Sequence, residues 1–263
     1  MNIGYLGFGQ MGSAMAEGFA RCCAEVRSGE IAQLAYAPHA DKLRKRAAEI
    51  GARPCADAAE LVRGSDMVVL ACKPYQAEAA LRGVKDDLRG KALVSVVNAW
   101  RFADFKARLG EHVRVQCVMP SIPMKIGKGT ALLAEENDLT DAERALLRRL
   151  CEAVSTVIEL PEEKIPAATA LCGCGPAFLY MVIEAMGDAG VKHGLSRRMA
   201  YELAAGAMAG AGEMVLSDEA AHPGALKDAV CSPAGTTIRG VAALEEAGMR
   251  GAFIRAVDAV LKN

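Results

Sequence analysis

Gly7-Phe8-Gly9-Gln10-Met11-Gly12 is the stretch with the plainest chemistry. It follows a short apolar run, Asn2 to Leu6, and leads into the small residues Ser13 to Ala20. A G-x-G-x-x-G between a strand and a helix is a dinucleotide-binding fingerprint. Gly7 allows the tight turn out of the strand, Gly9 lets a pyrophosphate approach the backbone, and Gly12 lets the helix pack on the strand. The N–H groups and positive dipole end of that helix then face the phosphates, with Gln10 and Met11 in its first turn.

A second chemical stretch is Val230-Cys231-Ser232-Pro233-Ala234-Gly235-Thr236-Thr237-Ile238. Pro233 removes an N–H and biases Ser232 away from helix, so the stretch reads as a loop. Ala234 and Gly235 are small enough for a ligand to reach the backbone. Thr236 then starts a helix whose first N–H groups lack internal partners. Such a helix start binds a carboxylate without a charged side chain. The hydroxyls of Thr236 and Thr237 either add hydrogen bonds to that ligand or only cap the helix.

Both stretches need elements to hold them. The apolar runs 2–6, 33–37, 53–55, 66–72, 92–97, 114–119, 129–134 and 155–159 read as strands, and 41–50, 57–62 and 141–153 as helices. This alternation predicts a doubly wound α/β sheet over residues 1–160. Ligands bind at the carboxyl ends of such strands, where Ala37, Cys72, Lys73, Pro74, Asn98, Met119 and Pro120 fall. Lys73 either reaches the cofactor or is a solvated loop lysine. Residues 161–263 carry only helical patterns, at 177–190, 197–216, 224–230, 236–247 and 251–262. Ala200, Ala204, Ala205, Ala207, Ala209 and Ala211 leave the middle helix little polar surface, and a helix apolar all round is buried. Either this domain packs on itself or it buries those faces between subunits.

The 263 residues are 52% hydrophobic with a net charge of −1, which favours a packed core and gives no electrostatic case for nucleic acid or an anionic membrane. No apolar run reads as the ~18 residues of a spanning helix. Nine cysteines at irregular spacing, with no C-x-x-C, read as reduced side chains of a cytoplasmic protein and not as a metal site.

With Lys73-Pro74, Met119-Pro120-Ser121-Ile122-Pro123, Leu171-Cys172-Gly173-Cys174-Gly175-Pro176-Ala177-Phe178 and the Ser232–Ile238 stretch in order, the whole chain resembles the pyrroline-5-carboxylate reductase family. The resemblance implies a Rossmann-type domain followed by an all-α helical dimerisation domain. It implies reduction of a cyclic imine to L-proline, the last step of proline biosynthesis, by NADPH or NADH. It also implies a homodimer, or a larger assembly of dimers, in which Ser232, Ala234, Gly235, Thr236 and Thr237 hold the substrate carboxylate against the cofactor of the other subunit. Thr237 is the expected partner of the ring nitrogen.

The chain departs from the family pattern at Asn98-Ala99-Trp100, Ser121, Ile122, Cys172, Cys174 and Ala234. Asn98 and Ser121 should flank the nicotinamide. These departures keep two further readings open: a reductase of another cyclic imino acid, and a non-catalytic NADP-binding regulator. A hydroxyacid dehydrogenase would place a lysine on the long helix, and Lys192 stands only at its end. At the end of the second strand Tyr36-Ala37-Pro38 has no carboxylate for a ribose 2′-OH, while Lys42 and Arg44 follow, so NADPH is the expected cofactor.

Overall fold

The computed structural model describes residues 1–98 and 100–262; Ala99, within the Asn98–Trp100 departure, lies outside the described residues. The chain divides into two compact units, Met1–Gly173 and Cys174–Asn263.

The first unit is an eight-stranded sheet with helices on both faces. Its strands are β1 (Asn2–Leu6), β2 (Ala32–Tyr36), β3 (Arg53–Pro54), β4 (Met67–Leu70), β5 (Ala92–Ser95), β6 (Arg114–Pro120), β7 (Gly129–Asn137) and β8 (Ser155–Leu160). Its helices are α1 (Gln10–Cys22), α2 (Ala24–Arg27), α3 (Ala40–Ile50), α4 (Ala58–Arg63), α5 (Pro74–Arg82), α6 (Phe102–Leu109), α7 (Asp141–Glu152) and α8 (Ile165–Cys172). The strand order is β3-β2-β1-β4-β5-β6-β7-β8. β1 to β6 are parallel; β7 runs antiparallel to β6 and parallel to β8.

Strand residues alternate between two cores, as a pleat requires. Ile3, Tyr5, Met67, Val69, Ala92, Val94, Val118, Ala131 and Leu133 bury into one core with residues of α1, α3 and α7. Leu6, Val68, Leu70, Leu93, Val115, Cys117, Leu132 and Ala134 bury into the other with residues of α4, α5 and α6. Because both faces are covered, the strands read as unbroken apolar runs.

Helix ends follow local chemistry. Asp57 Oδ1 accepts from Glu60 N at 2.7 Å and caps α4, and Gly51 ends α3 with φ +80°. Helices α2, α5, α6 and α8 are additions to the sequence reading. The stretch 161–173, placed there with the second domain, packs here on the sheet unit through the buried Ile165 and Ala170 of α8.

The second unit contains α9 (Gly175–Lys192), α10 (Arg197–Leu216), α11 (Pro223–Ala229), α12 (Thr236–Glu246) and α13 (Met249–Leu261). Gly187 lets α9 and α10 close on each other, since a Cβ there would lie 2.3 Å from the Tyr201 ring. Large apolar side chains remain exposed on these helices, among them Tyr180, Met181, Leu203, Met214, Leu216 and Ile254. The stretch Glu162–Lys192, with a mean hydropathy of 1.5 in its most apolar window, is long and apolar enough to cross a membrane by length and composition. This corrects the sequence reading that no such run exists; the helix is nevertheless interrupted at Gly173-Cys174.

One buried polar chain ties the sheet to the first helix. Tyr5 Oη of β1 donates to Gln33 Oε1 of β2 at 2.6 Å, and Gln33 Nε2 donates to Ala16 O of α1 at 3.1 Å. Tyr5 and Gln33 are 0% and 4% exposed, so neither has water as an alternative partner. Tyr5→Phe should destabilise the protein by about 1–3 kcal/mol by orphaning the Gln33 oxygen, read as a lower urea midpoint at unchanged slope.

Candidate active site in two parts

The first part lies at the carboxyl ends of β1, β2, β4 and β5. Between β1 and β4 the strand order reverses, which opens a crevice at that edge. The crevice is a cleft of about 1510 Å³. Gly7, Gly9, Gln10, Met11, Ala37, Cys72, Lys73, Pro74 and Asn98 all line it. The sequence therefore anticipates most of one wall.

Each glycine of the fingerprint answers to a different neighbour. Gly7 has φ +102°, and a Cβ there would stand 2.6 Å from Cys72 N. A Cβ on Gly12 would stand 2.3 Å from Gly7 O and 3.2 Å from the Ala71 Cβ, so Gly12 serves the contact of α1 with the strand ends. A Cβ on Gly9 would meet nothing within 4 Å. No protein atom requires glycine at position 9, which leaves its backbone open to the cleft.

The start of α1 suits a phosphate. Gly9 is its N-cap without a side-chain cap, and its first turn holds no acidic residue. The first helical bond runs from Ser13 N to Gly9 O at 3.0 Å, which leaves the N–H groups of Gln10, Met11 and Gly12 ahead of it. Ser13 Oγ also donates to Gly9 O at 2.7 Å and fixes the loop. The residues present fit an anionic group such as a dinucleotide pyrophosphate, with Gly7 to Met11 and Ala37 all on the cleft wall.

Several expected residues stand elsewhere. Met119 and Pro120 do not line the cleft: they are buried at the end of β6, paired with Leu132 and Ala131 of β7. Ser121 is buried too, and its Oγ accepts from Thr130 N at 2.8 Å; the adjacent Ile122 is the one that reaches the cleft wall. Trp100 leaves the cleft for the core, with its ring 5.1 Å from Phe105 and under the Arg108 guanidinium at 4.3 Å. The cations at the end of β2 also need correcting. Arg44 pairs with Asp41 at 2.6 Å and is not on the cleft. Lys42 lines it, joined by His39, Lys45 and Arg46. Arg46 is engaged by Glu17 and Glu49, at 3.1 and 3.2 Å.

The reading missed Lys45, although Lys42, Lys45, Arg46 and Glu49 follow the i, i+3, i+4, i+7 spacing of one helix face. It also missed Tyr75, which is 83% exposed on the cleft rim. Cys72 is half-buried on the wall, and burial pushes its thiol up, so it stays protonated at neutral pH. Among the described residues, no group of three or more His, Cys, Asp or Glu side chains is placed to hold a metal, and no disulfide joins the cysteines.

The second part is the Ser232–Thr237 loop of the other unit. Gly235 N donates to Ser232 O at 3.0 Å and closes a turn over Pro233 and Ala234. Ala234 has φ +59°, the left-handed region, and is the one non-glycine there among the described residues. Proline followed by a residue of positive φ is a type II turn, whose third position favours glycine. For alanine the conformation costs roughly 1–2 kcal/mol. Gly235 is crowded, since a Cβ there would lie 2.3 Å from Ser232 Oγ.

Helix α12 opens directly after the turn. Gly235 is its N-cap, no side chain caps it, and its first turn contains no acidic residue. Thr236 and Thr237 are therefore not its caps, and both are exposed. Arg239 Nε donates to Gly235 O at 3.4 Å. His222 is occupied differently: its Nδ1 accepts from Gly224 N at 3.1 Å and caps α11. Cys172 ends α8 and Cys174 is the N-cap of α9.

Gly9→Ala should leave folding intact, because its methyl meets no protein atom, yet weaken NADPH binding at least about tenfold, or about 1.4 kcal/mol. Gly12→Ala should lower Tm instead. Calorimetric titration and thermal melts of the two variants separate the ligand-facing glycine from the packing glycine.

Comparison with known proteins identifies the family. Residues 162–263 match the family described as pyrroline-5-carboxylate reductase dimerisation, and residues 2–99 match that described as NADP oxidoreductase, coenzyme F420-dependent. The pyrroline-5-carboxylate reductase of Treponema pallidum is 37% identical, over 100% of both chains. That of Methanosarcina acetivorans is 38% identical, over 97% of this chain and 93% of the relative. The crystal structure of Plasmodium falciparum pyrroline carboxylate reductase with NADP bound is 29% identical, covering 99% of this chain and 95% of its own, with a TM-score of 0.87. With full-length relatives at this identity, a preformed dinucleotide cradle and a helical unit matching the dimerisation family, the chain belongs to the pyrroline-5-carboxylate reductase family.

Proposed function

We propose that the chain is an NAD(P)H-dependent imine reductase that converts pyrroline-5-carboxylate to L-proline, working as a homodimer. The observation that carries this reading is the unexplained glycine at position 9, at the mouth of a cleft sized for a dinucleotide, in a full-length member of this family. The nicotinamide supplies the hydride when bound. The protein supplies position and electrostatics.

The division of labour follows the two parts. Gly7 to Met11 hold the pyrophosphate, Lys73 and Asn98 line the path beyond it, and Lys42 and Lys45 face the ribose 2′ position. In the other unit, the uncapped N–H groups of α12 receive the substrate carboxylate. The Thr237 hydroxyl, which no cap consumes, hydrogen-bonds the carboxylate or the ring nitrogen. An imine of near-neutral pKa arrives partly protonated, so the site needs no strong general acid, and the protonated Cys72 adds no charge.

The helical unit supports a dimer. Exposed Met181, Leu203, Met214 and Ile254 are more apolar surface than a solvated helix carries, and the family matched over this unit is a dimerisation family. Light scattering at micromolar concentration should give at least a dimer; a monomer would refute the assembly. The same measurement reads whether dimers assemble further.

Thr237→Ala should lower kcat/KM for pyrroline-5-carboxylate at least about tenfold, since a hydrogen bond to a charged group is worth roughly 1.5–3 kcal/mol. NADPH affinity should hold. Wild-type turnover should favour NADPH over NADH, and Lys42→Ala should lower kcat/KM with NADPH while sparing NADH. Equal or better turnover with NADH, in a 340 nm assay, would overturn the cofactor assignment. Absence of imine-dependent oxidation with either cofactor would leave only the non-catalytic reading.

A further inference from the structure

The carboxylates on the cleft wall both stand toward one end of it. Glu49 lies on α3, where it engages Arg46 at 3.2 Å, and Asp57 caps α4. That end adjoins β2, the strand whose carboxyl end takes the adenosine ribose of a dinucleotide. The other half of the dinucleotide then lies over the ends of β4 and β5. The wall there presents the apolar side chains of Met11, Val96 and Ile122, the neutral Asn98 and one cation, Lys73, with no carboxylate among the described residues. Glu17 of α1 pairs with Arg46 and Lys125, at 3.1 and 3.3 Å, and is not on the wall.

Ile122 is set in that wall by its neighbours. The buried Ser121 donates its N–H to Thr130 O and accepts from Thr130 N through Oγ, both at 2.8 Å, which ties it to β7. Met124 is fully buried two residues on, and Pro123 restrains the backbone between them. The Ile122 side chain is left 42% exposed and belongs to neither hydrophobic core. Packing of the sheet unit therefore does not account for an isoleucine at this place.

The two redox forms of a nicotinamide differ by one hydride: the reduced ring is neutral and the oxidised ring is a cation. A neutral ring loses little on leaving water for an apolar wall, whereas a cation loses hydration and needs a counter-charge. The Lys73 ammonium adds repulsion instead. We propose that this end of the cleft selects the redox state of the cofactor, binding the reduced form in preference to the oxidised one, and that Ile122 sets the preference. This rests on the reading of the cleft as the dinucleotide site. It favours reduction, because the form that carries the hydride is held and the form that has lost it is released.

The experiment is calorimetric titration of NADPH, NADP⁺ and adenosine 2′,5′-bisphosphate, without imine, into wild type, Ile122→Thr and Ile122→Glu, with thermal melts alongside. The bisphosphate probes the half that both redox forms share. Wild type should bind NADPH at least about fivefold more tightly than NADP⁺. In Ile122→Glu a carboxylate faces the ring, and the ratio should fall at least about threefold, as one half-exposed charge pair allows, mainly through tighter NADP⁺. Ile122→Thr should shift the ratio in the same direction and carries the test if Ile122→Glu melts early. Bisphosphate affinity should hold in both. A wild-type ratio near one, or an unchanged ratio in a folded variant, would overturn the proposal. So would a parallel change in bisphosphate affinity, which would put Ile122 against the shared half. Wild-type protein that binds none of the three would overturn the reading of the cleft itself.

Discussion

The contact that the sheet unit depends on is the approach of α1 to the ends of β1 and β4. The Gly12 Cα faces Gly7 O so closely that one added carbon would lie 2.3 Å from it, and the Ala71 methyl closes the third side. Three small residues from three elements therefore fix the height of the helix over the strands. That height places the first N–H groups of α1 at the strand ends. A larger residue at position 12 would lift the helix, and with it the positive end of its dipole. The buried chain Tyr5–Gln33–Ala16 secures the same helix one turn further on, by hydrogen bonds instead of sterics. Packing sets the distance and the polar chain sets the rotation, so the cradle is rigid before any ligand arrives.

How much of this was legible depends on the length scale of the signal. The buried strands announced themselves because a parallel sheet covered on both faces leaves no polar alternation to confuse the reading. The fingerprint was legible because steric demands at Gly7 and Gly12 are local. Helices α5, α6 and α8 were missed because they are short, at nine, eight and eight residues, and show little more than two turns of pattern. The cleft wall beyond the glycines was half legible. Lys42 and Arg44 are close in sequence, but two residues apart on a helix is about 200° of rotation, so they cannot share a face. Phase along α3 would have selected Lys45 over Arg44. The regions of Asn98-Ala99-Trp100 and Ser121 were placed beside the nicotinamide by the family resemblance, yet Trp100 packs on Phe105 and Ser121 satisfies a backbone N–H.

The second unit was legible in the opposite sense, by what it could not do alone. Its alanines and methionines exceed what five helices can hide, and Tyr180, Met181 and Leu216 are indeed 61%, 69% and 75% exposed. The conformation of the Ser232–Gly235 turn was not legible. The sequence shows Pro233 and two small residues, which suit several turns. Only the backbone reveals that alanine, not the glycine beside it, takes the left-handed position. A Cβ on Gly235 would meet a different neighbour, the Ser232 hydroxyl, and sequence alone cannot assign the two demands to the right residues.

The two parts of the site solve the same electrostatic problem in the same way. Each presents the bare N-terminus of a helix, α1 or α12, without an acidic residue in its first turn, and each is the place proposed above for an anion. A helix end offers about half a positive charge, spread over N–H groups that point along one axis. That choice matters for reducing an iminium. A lysine or arginine set against the carboxylate would bind it more tightly, but would also repel the cationic ring nitrogen a few ångströms away and favour the unreactive neutral imine. In the proposed site, partial charges on N–H groups, with a threonine hydroxyl that can donate or accept, would hold the carboxylate while leaving the ring free to carry its proton. Arg239, on the first turn of α12, has its Nε on the Gly235 carbonyl. On the proposed reading, a helix start without an acidic first turn would hold the carboxylate while the substrate stays reducible.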